Sequence, residues 1–252
     1  MYKVVVIGTG NVSYHICKAI LKNKNLKLLQ ICGRKIGNSE KEFSHIKYTN
    51  DLDKLSKAEF YFMCVSDDAI LDVSKRIKVN NKSLIIHFSG STDLEVLSHY
   101  PNYGVIYPLQ TFSKKRDIIF SEVPLFIEGN SDFSLKKIKK ISSLLSNVIS
   151  VCDSKKRSFV HISAVFSNNF SNYMNLIAEE LLKNEKIDPN ILTPLMNETA
   201  KKLNFLSAKN AQTGPAIRND YKTIKKHLAL LKNSEYFEIY KNLSLMIKKL
   251  NK

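Results

Sequence analysis

Two glycines near the start of the chain have the spacing of a phosphate-binding turn. Gly8 and Gly10 follow the apolar segment Lys3–Ile7 and precede a stretch with helical periodicity. In such a turn the first glycine permits the tight bend, and the second lets a pyrophosphate approach the backbone at the helix N-terminus. Ser13 stands in the place of the third glycine. The alternative is a turn whose glycines serve geometry alone. The context predicts a dinucleotide site at Gly8, Gly10, Asn11 and Val12.

The residues after the second predicted strand indicate which dinucleotide is bound. A site for NAD usually has Asp or Glu here to bind the ribose hydroxyls. Gly33, Arg34 and Lys35 follow this strand instead, and none of them is a carboxylate. Two cations suit the 2′-phosphate of NADP, although a solvated loop arginine is the alternative. We therefore add these three residues to the cofactor site and expect NADP.

Two later strands end in polar residues that a plain loop does not require. Ser66 and Asp67 follow one apolar strand, and His87 and Ser89 lie at the end of the next. The carboxyl ends of the strands face the ligand in a doubly wound sheet, so Ser66 and Asp67 are expected beside the nicotinamide ribose. His87 is a candidate proton donor and Ser89 a candidate ligand of substrate oxygens. The alternatives are a helix cap for Asp67 and purely structural hydrogen bonds for His87 and Ser89.

A third polar group lies on a predicted helix in the second half of the chain. At 100° per residue, His161, Asn168 and Asn172 share one face with Ala164 and Val165. Polar side chains among small ones indicate a surface that faces a ligand, and they make His161 and Asn168 candidate catalytic residues. The alternative is that the asparagines satisfy neighbouring backbone groups.

These candidates must be positioned by two kinds of structure. Short apolar runs alternate with helical periodicity up to about residue 152, which predicts βαβ units and a parallel sheet. From residue 153 onward the pattern is helical throughout, and 154–183 has the length of one helix. We predict a Rossmann-type doubly wound, mainly parallel sheet in residues 1–152 and an all-helical domain in 153–252. The predicted strands are Lys3–Ile7, Lys27–Cys32, Phe60–Val65, Leu84–His87, Val105–Tyr107, Leu125–Glu128 and Val148–Ser150.

Composition narrows the choice of partners. The net charge of +16 suggests nucleic acid or an anionic membrane as a partner. Two observations argue against both partners: only five of the 39 basic residues are arginines, and the lysines are spread along the chain. A solvated lysine surface is the simpler interpretation. The four cysteines have no metal-ligand or redox spacing, so we expect no metal. No apolar run is long enough to span a membrane, and nothing resembles a signal peptide, so we expect a cytoplasmic protein.

Several motifs occur together in a fixed order, and together they resemble a known family. The motifs are Gly8-x-Gly10-Asn11-Val12, Val65-Ser66-Asp67-Asp68-Ala69-Ile70, His87-x-Ser89-Gly90-Ser91, Pro108-Leu109-Gln110-Thr111-Phe112, Ala164-Val165-Phe166-x-Asn168-Asn169-Phe170 and Thr213-Gly214-Pro215-x-x-Arg218-x-Asp220. They resemble the bacterial Rossmann-like NADP oxidoreductases with a helical C-terminal domain of unknown function. Their wider relatives are pyrroline-5-carboxylate reductase, 6-phosphogluconate and β-hydroxyacid dehydrogenases, and prephenate dehydrogenase.

The resemblance implies an NADP-dependent transfer of hydride to or from a small C=O or C=N substrate. It also implies a 6-phosphogluconate-dehydrogenase-type helical domain that forms a homodimer, with the active site in the cleft between the two domains. β-Hydroxyacid dehydrogenases carry a lysine four residues before their helix asparagine, whereas here Ala164 precedes Asn168 at that spacing. The alternative function is therefore an inactive NADP-binding sensor or scaffold.

Overall fold

A computed structural model describes residues 1–34 and 40–251. Lys35, one of the predicted cofactor residues, lies outside these ranges. The described chain forms two compact units, Met1–Asn169 and Phe170–Lys252. No helix in the described ranges is long and apolar enough to cross a membrane.

The first unit is built on one eight-stranded sheet. The strands are β1 (Tyr2–Ile7), β2 (Leu26–Cys32), β3 (Lys47–Thr49), β4 (Phe60–Met63), β5 (Leu84–His87), β6 (Tyr103–Pro108), β7 (Leu125–Gly129) and β8 (Ile149–Val151). They are ordered β3-β2-β1-β4-β5-β6-β7-β8, and every neighbouring pair is parallel except β6 and β7. The predicted mainly parallel, doubly wound sheet is confirmed. Its strand order reverses at β1, so the ligand crevice is expected where β1 meets β4.

Both faces of the sheet are buried, which explains the continuous apolar runs of its central strands. Side chains alternate between the faces along a strand. In β1, Val4 and Val6 pack into one apolar cluster, while Val5 and Ile7 pack into the other. A strand covered on both faces needs apolar residues at every position.

Helices connect the strands and continue beyond the sheet. They are α1 (Asn11–Leu21), α2 (Glu40–Phe43), α3 (Ile70–Arg76), α4 (Asp132–Ser142) and α5 (Ser154–Ala164), followed by a π-helix at Val165–Phe170. The π-helix interrupts the helix expected over 154–183. The sequence prediction also missed β3, because a three-residue strand with partly exposed side chains has no clear periodicity.

The second unit consists of helices with little core of its own. They are α6 (Ser171–Asn184), α7 (Thr193–Lys202), α8 (Ala208–Ala211), α9 (Tyr221–Leu230) and α10 (Phe237–Lys248). Among the described residues of this unit, the buried ones are Ile177, Ala216 and Leu231. Large apolar side chains lie at its surface, including Phe205 at 87% and Leu230 at 84% exposure.

Candidate functional site

Gly8 is required by the backbone of the turn itself. It has a φ of +123°, which L side chains rarely adopt. A Cβ added at this position would lie 2.1 Å from the carbonyl oxygen of Cys64, the residue after β4. The backbone therefore passes against the neighbouring strand at the point where the strand order reverses.

At position 10, by contrast, neither the backbone angles nor the packing requires a glycine. Its φ of -78° and ψ of -171° are open to any residue. Apart from Gly10 itself and its neighbours Thr9 and Asn11, no heavy atom of the described chain lies within 4 Å of the position that a Cβ would occupy. The fold therefore leaves free space directly in front of the N-terminus of α1, and a glycine keeps that space open.

The first turn of α1 offers backbone donors to this space. The N–H of Tyr14 makes the first helical bond, to the carbonyl of Gly10 at 3.0 Å, so the three preceding N–H groups have no partner inside the helix. Ser13 is buried, and its hydroxyl donates to the carbonyl of Gly8 at 2.6 Å. Ser13, which replaces the third glycine of the motif, thus stabilises the turn through this hydrogen bond. The side chain of Val12 packs against the core.

The loop 109–119, which follows β6, lies against the glycine turn. Asn11 donates its side-chain amide to the carbonyl of Phe112 at 3.0 Å, and Lys114 Nζ donates to the carbonyl of Thr9 at 2.9 Å. This loop places an ammonium group beside the glycine turn. Sequence reasoning missed Lys114, because no local pattern marks a lysine that is 105 positions from its partner.

The end of β2 carries the residues expected to choose between NADP and NAD. A Cβ on Gly33 would lie 2.5 Å from Thr9 Cγ2, and the Tyr48 hydroxyl donates to the Gly33 carbonyl. The small size of Gly33 therefore has a packing role. Arg34 is exposed, and among the described residues no hydrogen bond or ion pair holds its guanidinium. Its charge faces solvent at the carboxyl end of the sheet.

Polar residues meet after β4 and β5, as expected from the sheet topology. Ser66 and Asp67 are exposed, and Asp67 Oδ2 accepts a 2.6 Å hydrogen bond from the hydroxyl of Ser91. Ser66 is the N-cap of a short 3-10 helix, but its side chain makes no capping hydrogen bond. Its hydroxyl thus lies exposed at the carboxyl edge of the sheet.

His87 and Ser89 lie inside the protein. His87 is 0% exposed, and its Nδ1 accepts a hydrogen bond from the N–H of Ser89 at 3.2 Å. Burial, followed by the positive charge of Arg157, lowers the pKa of His87 to about 3. Ser89 Oγ accepts from the N–H groups of Ser91 and Thr92 at 3.2 and 2.9 Å. These contacts favour the structural alternative for both residues, since a neutral, enclosed ring holds the turn in shape.

His161 is paired with a tyrosine that the sequence analysis did not select. The hydroxyl of Tyr107, at the end of β6, lies 3.0 Å from Nδ1 of His161, and their rings meet edge to face. Tyr107 is 9% exposed, while His161 is partly exposed. A Cβ on Gly90 would lie 2.7 Å from the Tyr107 ring and 2.9 Å from His161 Nδ1. The glycine of the Ser-Gly-Ser turn lets the turn contact this pair directly.

Arg157 anchors the helix that carries His161. Its guanidinium is buried, pairs with Glu128 on β7 and donates to the carbonyl of Thr92 at 2.5 Å. Ser154 Oγ donates to the same carboxylate at 2.8 Å. Ser154, Arg157 and His161 lie on one face of α5, which turns that face to the sheet.

Asn168 is not on the face that uninterrupted helical periodicity predicts. It lies in the π-helix, whose i→i+5 bonds widen each turn and shift the faces beyond Val165 relative to His161. Asn168 is exposed. Asn172 belongs to α6 of the second unit. Because π-helical segments often occur at functional sites, the exposed Asn168 stays a candidate.

The structure thus brings most of the predicted residues to one edge of the sheet. The turn at Gly8 and the loops after β4 and β5 follow the carboxyl ends of adjacent parallel strands, and Tyr107 lies within the last two residues of the next strand, β6. His87 and Ser89 lie beneath this edge, in the interior.

Comparison with solved structures gives relatives for the whole chain. A protein from Bacteroides fragilis, whose provisional name is NADP oxidoreductase, is 36% identical, with 98% of each chain covered and a TM-score of 0.91. An imine reductase from Myxococcus stipitatus, in complex with NADP+, is 16% identical over 98% of this chain and 93% of its own, with a TM-score of 0.68. A 1-pyrroline-5-carboxylate reductase from Streptococcus pyogenes is 14% identical over 99% and 98%, with a TM-score of 0.63. The last two show a shared fold.

Comparison with family models matches residues 123–247 to a domain of unknown function, DUF2520. A search of the curated proteins found no significant match. The motifs of the sequence, the topology of the sheet and the full-length similarity to the Bacteroides fragilis protein agree with one another. The chain therefore belongs to the family of that protein, the bacterial Rossmann-type oxidoreductases with a helical C-terminal region.

Proposed function

We propose that this protein is an NADP-dependent oxidoreductase that transfers hydride between the nicotinamide and a small C=O or C=N substrate. The observation that carries the proposal is Gly10. Neither its backbone angles nor its neighbours require a glycine, and the space in front of it opens at the N-terminus of α1. A pyrophosphate that must approach the backbone explains this residue.

The cofactor residues have separate roles in this proposal. The turn Gly8–Gly10 and the N–H groups of Asn11 and Val12 hold the pyrophosphate, and Lys114 adds a positive charge beside it. Arg34 and Lys35 bind the 2′-phosphate, and the small Gly33 lets the chain after β2 pass close to Thr9. Ser66 and Asp67 border the nicotinamide ribose. Bound NADPH supplies the hydride.

The residues predicted to act on the substrate differ in how far they are exposed at the protein surface. His161 and Asn168 have exposed surface and are the proposed contacts of the substrate. His87 and Ser89 form the interior support of the Ser-Gly-Ser turn, whose shape they hold. The domain limits 1–152 and 153–252, with the active site in the cleft between them, stay predictions.

The proposed assembly is a homodimer formed by the helical region. The second unit exposes large apolar residues on several helices and buries few, so a second copy of the chain is needed to cover them. Size-exclusion chromatography with light scattering is expected to give twice the chain mass at micromolar concentration. A monomer under these conditions would contradict the assembly.

The free thiols Cys17, Cys32, Cys64 and Cys152 support a reducing compartment, and we propose the cytoplasm.

Two measurements test the function. Isothermal titration calorimetry with NADPH and NADH is expected to show binding, with NADPH the tighter ligand. Oxidation of NADPH is then followed at 340 nm with 1-pyrroline as a cyclic imine and with pyruvate and glyoxylate as keto acids. Turnover supports the oxidoreductase, and binding without turnover of any of the three supports the sensor. A chain that binds neither nucleotide contradicts both.

A further inference from the structure

The direction of the hydrogen bond between Tyr107 and His161 depends on which ring nitrogen of the histidine carries the proton. Within residues 1–34 and 40–251, His161 Nδ1 is the one hydrogen-bond partner of the Tyr107 hydroxyl. Burial, followed by the negative charge of Asp67, raises the pKa of Tyr107, so the phenol keeps its proton. A protonated phenol can donate its hydrogen bond to this nitrogen. Nδ1 is then the acceptor, and the proton of the neutral ring lies on Nε2.

We propose that Tyr107 is a positioning residue that fixes His161 in its Nε2–H tautomer, so that this N–H donates a hydrogen bond to the electronegative atom of the substrate. The inference rests on the proposed function and extends it by naming the donor and the residue that orients it. It accounts for Tyr107, which the cofactor site does not use.

The position of the pair fits this role. Tyr107 is the second-last residue of β6, the neighbour of β5, and lies at the edge of the sheet where the nucleotide turn opens. Gly90 lies against both rings, and Asp67, next to the proposed ribose site, is close enough to affect the pKa of Tyr107. A neutral imidazole that donates one hydrogen bond polarises a C=O or C=N group towards hydride attack. The C–H bond formed with the hydride leaves an electron pair on the oxygen or nitrogen, which then takes a proton from water while His161 keeps its own.

The rest of α5 holds the imidazole where Tyr107 can reach it. Arg157, one turn before His161, fastens the helix to Glu128 and Thr92, and Val160 packs against the apolar cluster under the same face. Side chains other than Tyr107 hold the helix. Removal of the phenol oxygen should therefore allow both tautomers of His161 to form and leave the helix in place.

The tautomer can be read directly in the protein without ligands. Long-range ¹H–¹⁵N spectra of ¹⁵N-histidine-labelled protein are recorded at a pH where the ring is neutral, and His161 is assigned from H161Q. The wild type is expected to show the Nε2–H tautomer, and Tyr107→Phe a mixture of both. Tyr103→Phe is the matched control. It removes a hydroxyl from the same strand, where Tyr103 donates to Glu95 at 3.0 Å, and should leave His161 unchanged.

A mixture of tautomers in the wild type, or an unchanged tautomer in Tyr107→Phe, would overturn the inference and leave the proposed function intact.

The donor role of His161 is tested by activity measurements. They use NADPH with whichever of 1-pyrroline, pyruvate and glyoxylate the wild type turns over. His161→Leu should lower kcat by about 100-fold. His161→Gln, which keeps an N–H donor, should recover part of it, and Tyr107→Phe should lower kcat by about 10-fold with KM nearly unchanged. Equal rates for Leu and Gln at 161 would contradict the donor role. Failure of NADPH to bind the wild type would instead refute the proposed function.

Discussion

Arg157 on α5 and Glu128 on β7 form an ion pair in which the guanidinium is 1% exposed. The same guanidinium donates to the carbonyl of Thr92, just beyond the Ser-Gly-Ser turn. One side chain therefore connects the helix that carries His161, strand β7 and the loop after β5. Burying a charge this deeply is tolerated only because its partners are fixed.

Removing the carboxylate should leave that buried charge without its partner. Glu128→Gln is expected to lower the free energy of unfolding by about 3 to 5 kcal/mol, measured by urea denaturation. Glu122→Gln, at an exposed position, is the control and should change it by less than about 0.5 kcal/mol. Adding Arg157→Met to Glu128→Gln should restore part of the loss. A Glu128→Gln variant as stable as the wild type would show that the pair does not hold α5.

Gly8 and Gly10 should respond differently to the same substitution. Gly10→Ala is expected to fold with an unchanged Tm but to bind NADPH at least about tenfold more weakly, because its methyl group occupies the open space before α1. Gly8→Ala should lower the free energy of unfolding by more than about 1 kcal/mol, since it combines a positive φ with a clash against Cys64. Thermal denaturation and calorimetry separate the two effects. Unchanged NADPH affinity in Gly10→Ala would argue against a pyrophosphate at this turn.

Arg34 should contribute to the choice between NADPH and NADH. Its exposed guanidinium follows β2, where it can meet a 2′-phosphate. Arg34→Ala is expected to weaken NADPH by about tenfold or more and NADH by less than about twofold. Lys27→Ala removes an exposed charge near the start of the same strand and serves as the control. Equal losses for both nucleotides would refute the assignment.

Lys114 should affect both nucleotides alike. Its ammonium lies at the carbonyl of Thr9, within the turn that faces the pyrophosphate common to NADPH and NADH. Lys114→Gln is expected to raise the Kd of each by about five- to tenfold, with the increase shrinking at high salt. Lys115→Gln alters the exposed neighbour and should have no effect. A loss confined to NADPH would place Lys114 at the 2′-phosphate instead.

Burial of His87 should make the fold sensitive to acid. The pKa of about 3 in the folded state lies below the 6.5 of a free histidine, so the unfolded chain takes up the proton first as pH falls. The stability from the neutral ring is complete above pH 6.5 and is lost towards pH 3, with about 2 kcal/mol gone at pH 5. His87→Gln should be less stable at pH 7 but show a flatter decline to pH 5 in urea titrations. The exposed His45→Gln should keep the slope of the wild type, and a wild-type slope in His87→Gln would contradict the prediction.

Most of the sheet and the nucleotide turn can be predicted from the order of the residues alone, because both follow from neighbouring residues. Val4 to Ile7 is apolar at each position because both faces of β1 are covered, and Gly8 and Gly10 follow it directly. Local chemistry also begins α5, where the side chain of Asp153 caps the helix by accepting a hydrogen bond from the N–H of Lys156. The local signal of β3 is weak, and the prediction missed this strand. The helix type changes at Val165, so the helix face predicted from uninterrupted periodicity does not continue beyond that residue.

The tertiary structure decided which polar residues meet. Tyr107 reaches His161 across 54 positions, and Lys114 reaches Thr9 across 105. No periodicity records such pairs, since they depend on which strand follows which in the sheet and on the path of a loop between them. Burial is decided in the same way. His87 looks like an available strand-end histidine in the sequence, and only the packing around β5 shows that the ring is enclosed and neutral.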